Sequence, residues 1–160
     1  MSYEIIKKIS AALVLSLAIA APSHASLSPG DKTSIKQVKQ ETRELIKSIE
    51  SYSADQRDQA IQEIEIAIIK LDNRIESLQK RLDEQWQGMT AEAREKARSS
   101  LDTLQQQRKD LAGWYSDLKG SSASAWADIR GGFSKAYRNI NKAWEKALND
   151  LDANDTASDS

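Results

Sequence analysis

The stretch IQEIEIAIIKLDNRIESLQKRL, residues 61–82, decides the fold. Ile61, Ile64, Ile68, Leu71, Ile75, Leu78 and Leu82 recur at alternating steps of three and four. That spacing holds them on one stripe of an α-helix as a heptad seam, whereas a half-buried strand needs a period of two. Upstream, Ser53-Ala54-Asp55-Gln56 reads as a capping box, with the Ser53 hydroxyl facing the Gln56 N–H and the Gln56 amide reaching back. Downstream, Gly88 suits a helix end, and Met89 falls in phase with the seam just after it. The pattern predicts a helix over 54–87, about 50 Å long at 1.5 Å per residue. Ile66 and Ile69 lie nearly opposite the seam, so the helix needs either a second packing neighbour or a self-association patch there. A second neighbouring helix is the expectation.

Working outward, a helix expected over 31–51 carries a second seam in Ile35, Val38, Thr42, Leu45 and Ile49, continued just past its end by Tyr52, again at steps of three and four. The same helix bears a basic stripe of Lys32, Lys36, Lys39, Arg43 and Lys47, diluted by Glu41, Glu44 and Glu50. On the other side, Thr90 is an N-cap candidate. Ala93, Ala97, Leu101, Leu104, Leu111, Tyr115 and Leu118 form a third apolar stripe, in which Arg108 takes one slot and is expected to snorkel to solvent.

From residue 114 the chain matches itself at a spacing of 11. Trp114-Tyr115-Ser116-Asp117-Leu118 aligns with Ala125-Trp126-Ala127-Asp128-Ile129, Ala136-Tyr137-Arg138-Asn139-Ile140 and Ala147-Leu148-Asn149-Asp150-Leu151. Eleven residues are three helical turns, so one face stays apolar. The register survives Gly120-Ser121-Ser122-Ala123-Ser124, which favours one helix over 90–151; a C-cap at Gly120 and an N-cap at Ser124 would split it. The expected fold is therefore all-α: an elongated antiparallel three-helix bundle or coiled coil over 31–151, with four helices if the chain breaks at 120–124, and no sheet. The polar, acidic tail 152–160 is expected to be disordered.

Residues 1–25 carry Lys7 and Lys8, the uncharged run ISAALVLSLAIAA at 9–21, and small residues at Ser23 and Ala25. This is the pattern of a secretory signal peptide cleaved between Ala25 and Ser26, with 26–30 as a short lead, and it predicts an exported, periplasmic or secreted protein. The 160 residues include no Cys and a single His, His24, which falls in the segment expected to be removed. The processed chain then lacks the side chains that most nucleophilic and transition-metal sites use, so the reading is non-enzymatic, with no catalytic residue, metal or cofactor. Acidic and basic residues nearly balance, 24 against 23, which gives no global attraction to nucleic acid.

The Ala-Trp-x-Asp-Ile-x-x-Gly-Phe-x-x-Ala-Tyr run at 125–137 resembles small exported bacterial helical proteins that carry repeated Ala-Trp and Gly-Phe units after a coiled-coil segment. Its 11-residue period is similar to that of apolipoprotein-type lipid-binding helices. The resemblance implies a helical interaction protein and assigns no active-site residue. Two partner classes follow. One is a protein partner or self-association, as in an adaptor or chaperone-like factor, with Ile66 and Ile69 as the patch. The other is an anionic membrane surface met by the 114–151 face, with Trp126, Phe133, Tyr137, Trp144, Arg130, Lys135 and Arg138 as its candidate residues; the alternative, and the favoured reading of the aromatics, is that they pack onto the first two helices as core.

Overall fold

The computed structural model describes residues 34–158, with side chains through 153. The predicted signal segment, the 26–30 lead and Lys32 lie outside the described residues. Every regular element described is helical: α1 (Ile35–Ser51), α2 (Arg57–Gln85), α3 (Ala91–Gly120) and α4 (Trp126–Ser158). Short 3-10 turns at Ala54–Gln56 and Trp86–Gly88 flank α2.

Local chemistry sets the boundaries. Ser34 caps α1, its hydroxyl accepting from Gln37 N–H at 3.1 Å. At the start of α2, Gln56 Oε1 accepts from both the Ser53 N–H (3.1 Å) and the Ser53 hydroxyl (3.2 Å). The Gln56 N–H turns to the Ser53 carbonyl (3.0 Å) and closes the 3-10 turn. Thr90 caps α3 as its position suggests, accepting from Ala93 N–H at 3.1 Å.

The long third helix expected over 90–151 is instead two. α3 stops at Gly120, where Ser121 turns extended and both its N–H (3.3 Å) and its hydroxyl (2.9 Å) bond the Leu118 carbonyl. The Arg57 guanidinium donates to the Ser121 carbonyl and pins the turn against α2. α4 then starts from Ser122, whose carbonyl accepts from Trp126 N–H (3.0 Å) and whose hydroxyl accepts from Ala125 N–H (3.2 Å). The serines supply caps that a continuous helix has no use for. The 11-residue period persists because its apolar positions face the interior on both sides of the turn. Leu118, Trp126, Tyr137, Ile140, Leu148 and Leu151 are all buried. At the other end, the helical backbone continues past Leu151 to Ser158. No glycine or proline interrupts this stretch, and Arg81 of α2 ties Asp152 by an ion pair of 2.8 Å.

Consecutive helices run antiparallel, as the side-chain ties show. Ser48 and Tyr52 of α1 donate to Glu63 of α2, each at 2.6 Å. Arg108 of α3 makes a two-pronged bond to Asp72 of α2 at 2.6 and 3.0 Å, so this seam charge reaches solvent by bridging two helices. α4 packs most extensively on α3 and closes the bundle against α1. There Lys39 meets Glu145 at 2.7 Å and Arg138 meets Glu50 at 3.5 Å. The α2 seam lies in the core, with Ile64, Ile68, Leu71, Ile75, Leu78 and Leu82 buried and Ile61 half-buried.

Candidate functional site

The four aromatics, for which the sequence leaves core packing and a docking face both open, are core residues. Trp126, Phe133, Tyr137 and Trp144 are 3%, 0%, 2% and 4% exposed. The Phe133 and Tyr137 rings stack, with centroids 6.0 Å apart and planes at 18°. The Trp126 indole N–H donates to the Tyr52 carbonyl at 3.0 Å, and the Arg130 guanidinium donates to the same oxygen at 2.8 Å. One carbonyl at the end of α1 thus receives both donors from the first turns of α4. Of the basic candidates, Lys135 and Arg138 stay exposed. The seven candidates of this face therefore separate, with the apolar half inside and most of the basic half outside.

Ile66 and Ile69 behave oppositely. They are 59% and 57% exposed, so the second packing helix expected over them is absent from the described structure. Residues 66 and 69 stand one helical turn apart and form an apolar spot on the outer side of α2.

Three features went unread in the sequence. The first is a polar layer inside the bundle. Arg74 is buried among the α2 seam residues, and its guanidinium pairs with Glu41 of α1. Burial would raise the Glu41 carboxyl, yet hydrogen bonds from Gln37 and Arg74, with the Arg74 and Lys70 charges, hold it below its ordinary value. Arg74 and Asn141 also approach the Tyr137 hydroxyl, whose pKa burial pushes up. Second, Tyr115 of α3 donates to Glu65 of α2, and burial together with this carboxylate raises the phenol well above its ordinary value. Third, Trp86 at the α2–α3 turn carries the guanidinium carbons of Arg98 and Arg94 over its ring, 4.5 and 5.2 Å from the centroid. An open cavity of about 370 Å³ lies beside it, lined by Leu82, Asp83, Trp86, Gln87 and Arg98. Arg74 had a sequence signal, since position 74 falls one residue before Ile75 and next to the seam. The Trp86 cluster had none beyond the spacing of Arg94 and Arg98.

Among the described residues, no group of three or more Asp, Glu, His or Cys side chains is placed to hold a metal ion. No described helix is long and apolar enough to cross a membrane. No family model, curated protein or solved structure matches the chain.

Proposed function

We propose that the chain is a non-enzymatic, exported helical interaction protein that binds a protein partner, or a second copy of itself, through the outer face of α2. The observation that carries this is the exposure of Ile66 and Ile69 on a helix whose other isoleucines and leucines are buried or half-buried. Leaving two isoleucines in water forgoes roughly 1.5–3 kcal/mol of burial for each, which a partner surface would recover. Export rests on the segment 1–25, and the lack of catalytic chemistry rests on a chain that has no Cys and its single His in that segment. The heptad seams of α1 and α2 support coiled-coil-like packing inside the bundle. The resemblance to exported helical proteins supports an adaptor or chaperone-like role with no cofactor. The membrane reading of the 114–151 face retains its bases as support, but the four aromatics it would use, Trp126, Phe133, Tyr137 and Trp144, are interior.

The test is crosslinking in the exporting cell with mass spectrometry, paired with analytical ultracentrifugation. Crosslinks centred on α2 that vanish in the Ile66→Asp, Ile69→Asp double variant, with its melting curve unchanged, are the expected result. A strict monomer with no crosslinked partner overturns the reading.

A further inference from the structure

We propose that α1 and α4 together form an electrostatic docking face for an anionic membrane surface, used by the closed bundle with its aromatics still inside. Lys36, Lys39, Arg43 and Lys47 fall at i, i+3, i+7 and i+11 on α1, and Lys135, Arg138, Lys142 and Lys146 repeat that spacing on α4. Each set therefore lines one helical face. The two stripes are far apart in sequence, and the fold sets them side by side. The Lys39–Glu145 and Arg138–Glu50 pairs bridge the two helices on this side of the bundle. Those pairs occupy the acids Glu145 and Glu50. Lys36, Arg43, Lys47, Lys135 and Lys142 are exposed and have no carboxylate partner among the described residues. Asp128 is the remaining acid on the outer side of α4, at its first turn. On α1 the remaining acid is Glu44, exposed beside the stripe and accepting a hydrogen bond from Gln40 at 2.8 Å.

The form of this face favours a lipid surface over other polyanions. Its two antiparallel rows run about 16 Å from Lys36 to Lys47 at 1.5 Å per residue. Four of the five unpaired cations are lysines, point charges without the fork that selects a bidentate partner. Of the exposed large apolar side chains, Ile66 and Ile69 belong to α2, and Trp114 belongs to α3 with its ring lying against Gly132 of α4; none comes from the two helices that carry the basic rows. A row of cations held at one level is what a negatively charged leaflet attracts, and each cation raises partitioning about fivefold. This face lies on different helices from Ile66 and Ile69, so the proposal stands apart from the α2 reading.

Flotation of the protein as it accumulates in the exporting cell, with phosphatidylcholine vesicles and with vesicles one third phosphatidylglycerol, tests it. Binding to the anionic vesicles alone, falling steeply with added salt, is expected. Arg43→Glu with Lys142→Glu should weaken it more than tenfold at an unchanged melting temperature. Lys70→Glu with Lys80→Glu on α2, an equal charge change, should weaken it less than threefold. The milder pair Lys36→Gln with Lys135→Gln should give an intermediate loss. No binding to anionic vesicles, equal binding to neutral ones, or equal loss from the α2 variant overturns the proposal. So does retention on immobilised DNA or heparin without vesicle binding. Quenching of Trp126 or Trp144 by brominated lipid, read with Trp86 and Trp114 replaced by Phe, also overturns it, because it would mean the α4 aromatics enter the bilayer.

Discussion

The edge of the Trp114 indole on α3 lies against the α-carbon of Gly132 on α4, in the space a β-carbon would fill. A methyl there would overlap ring atoms Cζ3, Cη2 and Cε3. The neighbouring Gly131 has open space at the same point.

Gly132→Ala should therefore displace Trp114, which is already 37% exposed and can swing outward. The gain of about 1 kcal/mol from replacing a mid-helix glycine is offset by lost packing. Gly131→Ala should keep that gain. Acrylamide quenching and thermal melts check both: quenching rises only for Gly132→Ala, and the melting temperature rises only for Gly131→Ala.

Glu41→Gln should destabilise the bundle by about 2 kcal/mol, because it leaves Arg74 charged inside the core without its counter-ion. The loss stays below that of a fully enclosed pair because Glu41 keeps 27% side-chain exposure. Arg74→Met should fall within about 1 kcal/mol of the parent or exceed it, since an apolar side chain of similar length removes the desolvation cost. Denaturant titration distinguishes the two. A larger loss for Arg74→Met than for Glu41→Gln would mean that the guanidinium contributes chiefly through its contact with Tyr137.

Stability should fall at both ends of the pH scale. Glu41 and Asp150 are held below their ordinary values of 4.5 and 3.8, the latter by Lys146 and Lys96 against the opposing effect of burial. The unfolded chain thus takes up protons first, and their contribution, complete above the ordinary values, is lost as pH drops through the lowered ones. Tyr115 and Tyr137 are raised, so their contribution holds below about pH 10 and is lost in stronger alkali. Melting temperatures should be level through neutrality, decline below about pH 4 and decline again above 10. Glu41→Gln should flatten the acid limb, and Tyr115→Phe the alkaline one.

Two isoleucines on one helix should differ widely in their response to truncation. Ile64→Ala removes a side chain with no exposure and should cost about 2–5 kcal/mol. Ile66→Ala should change stability by less than about 0.5 kcal/mol. Urea unfolding of the pair checks the phase of α2 directly.

How far the sequence could be read depended on the range of the interaction. The α2 seam was legible because periodicity reports burial regardless of which helix covers it. Thr90 was legible because a cap is settled within three residues. The turn at 121–125 was not. An 11-residue period marks which positions face inward, and it does so equally for one helix or for two helices folded on each other. The deciding interactions, Arg57 on the Ser121 carbonyl and the Ser122 cap, depend on side chains turning toward backbone groups that a straight helix would have occupied. The same limit hid the candidate surfaces. Nothing local to α4 decides between its aromatics packing on α1 and α2 and their facing outward, or says that Lys142 shares a face with Arg43. Arg74 needed Glu41, a partner 33 residues away, to be read as an interior charge.

The shared bond of Trp126 and Arg130 to the Tyr52 carbonyl has a kinetic consequence. Its partners are 74 and 78 residues apart, and the Arg138–Glu50 pair spans 88. The first helix therefore gains its second neighbour only once the last one has been synthesised. α3 and α4 can meet as a hairpin through short-range contacts, whereas α1 must wait beside α2 with one side uncovered. A chain cut short before residue 126 would keep α1–α3 and lose the α4 wall of the interior. Full-length synthesis is thus a condition for closing the bundle.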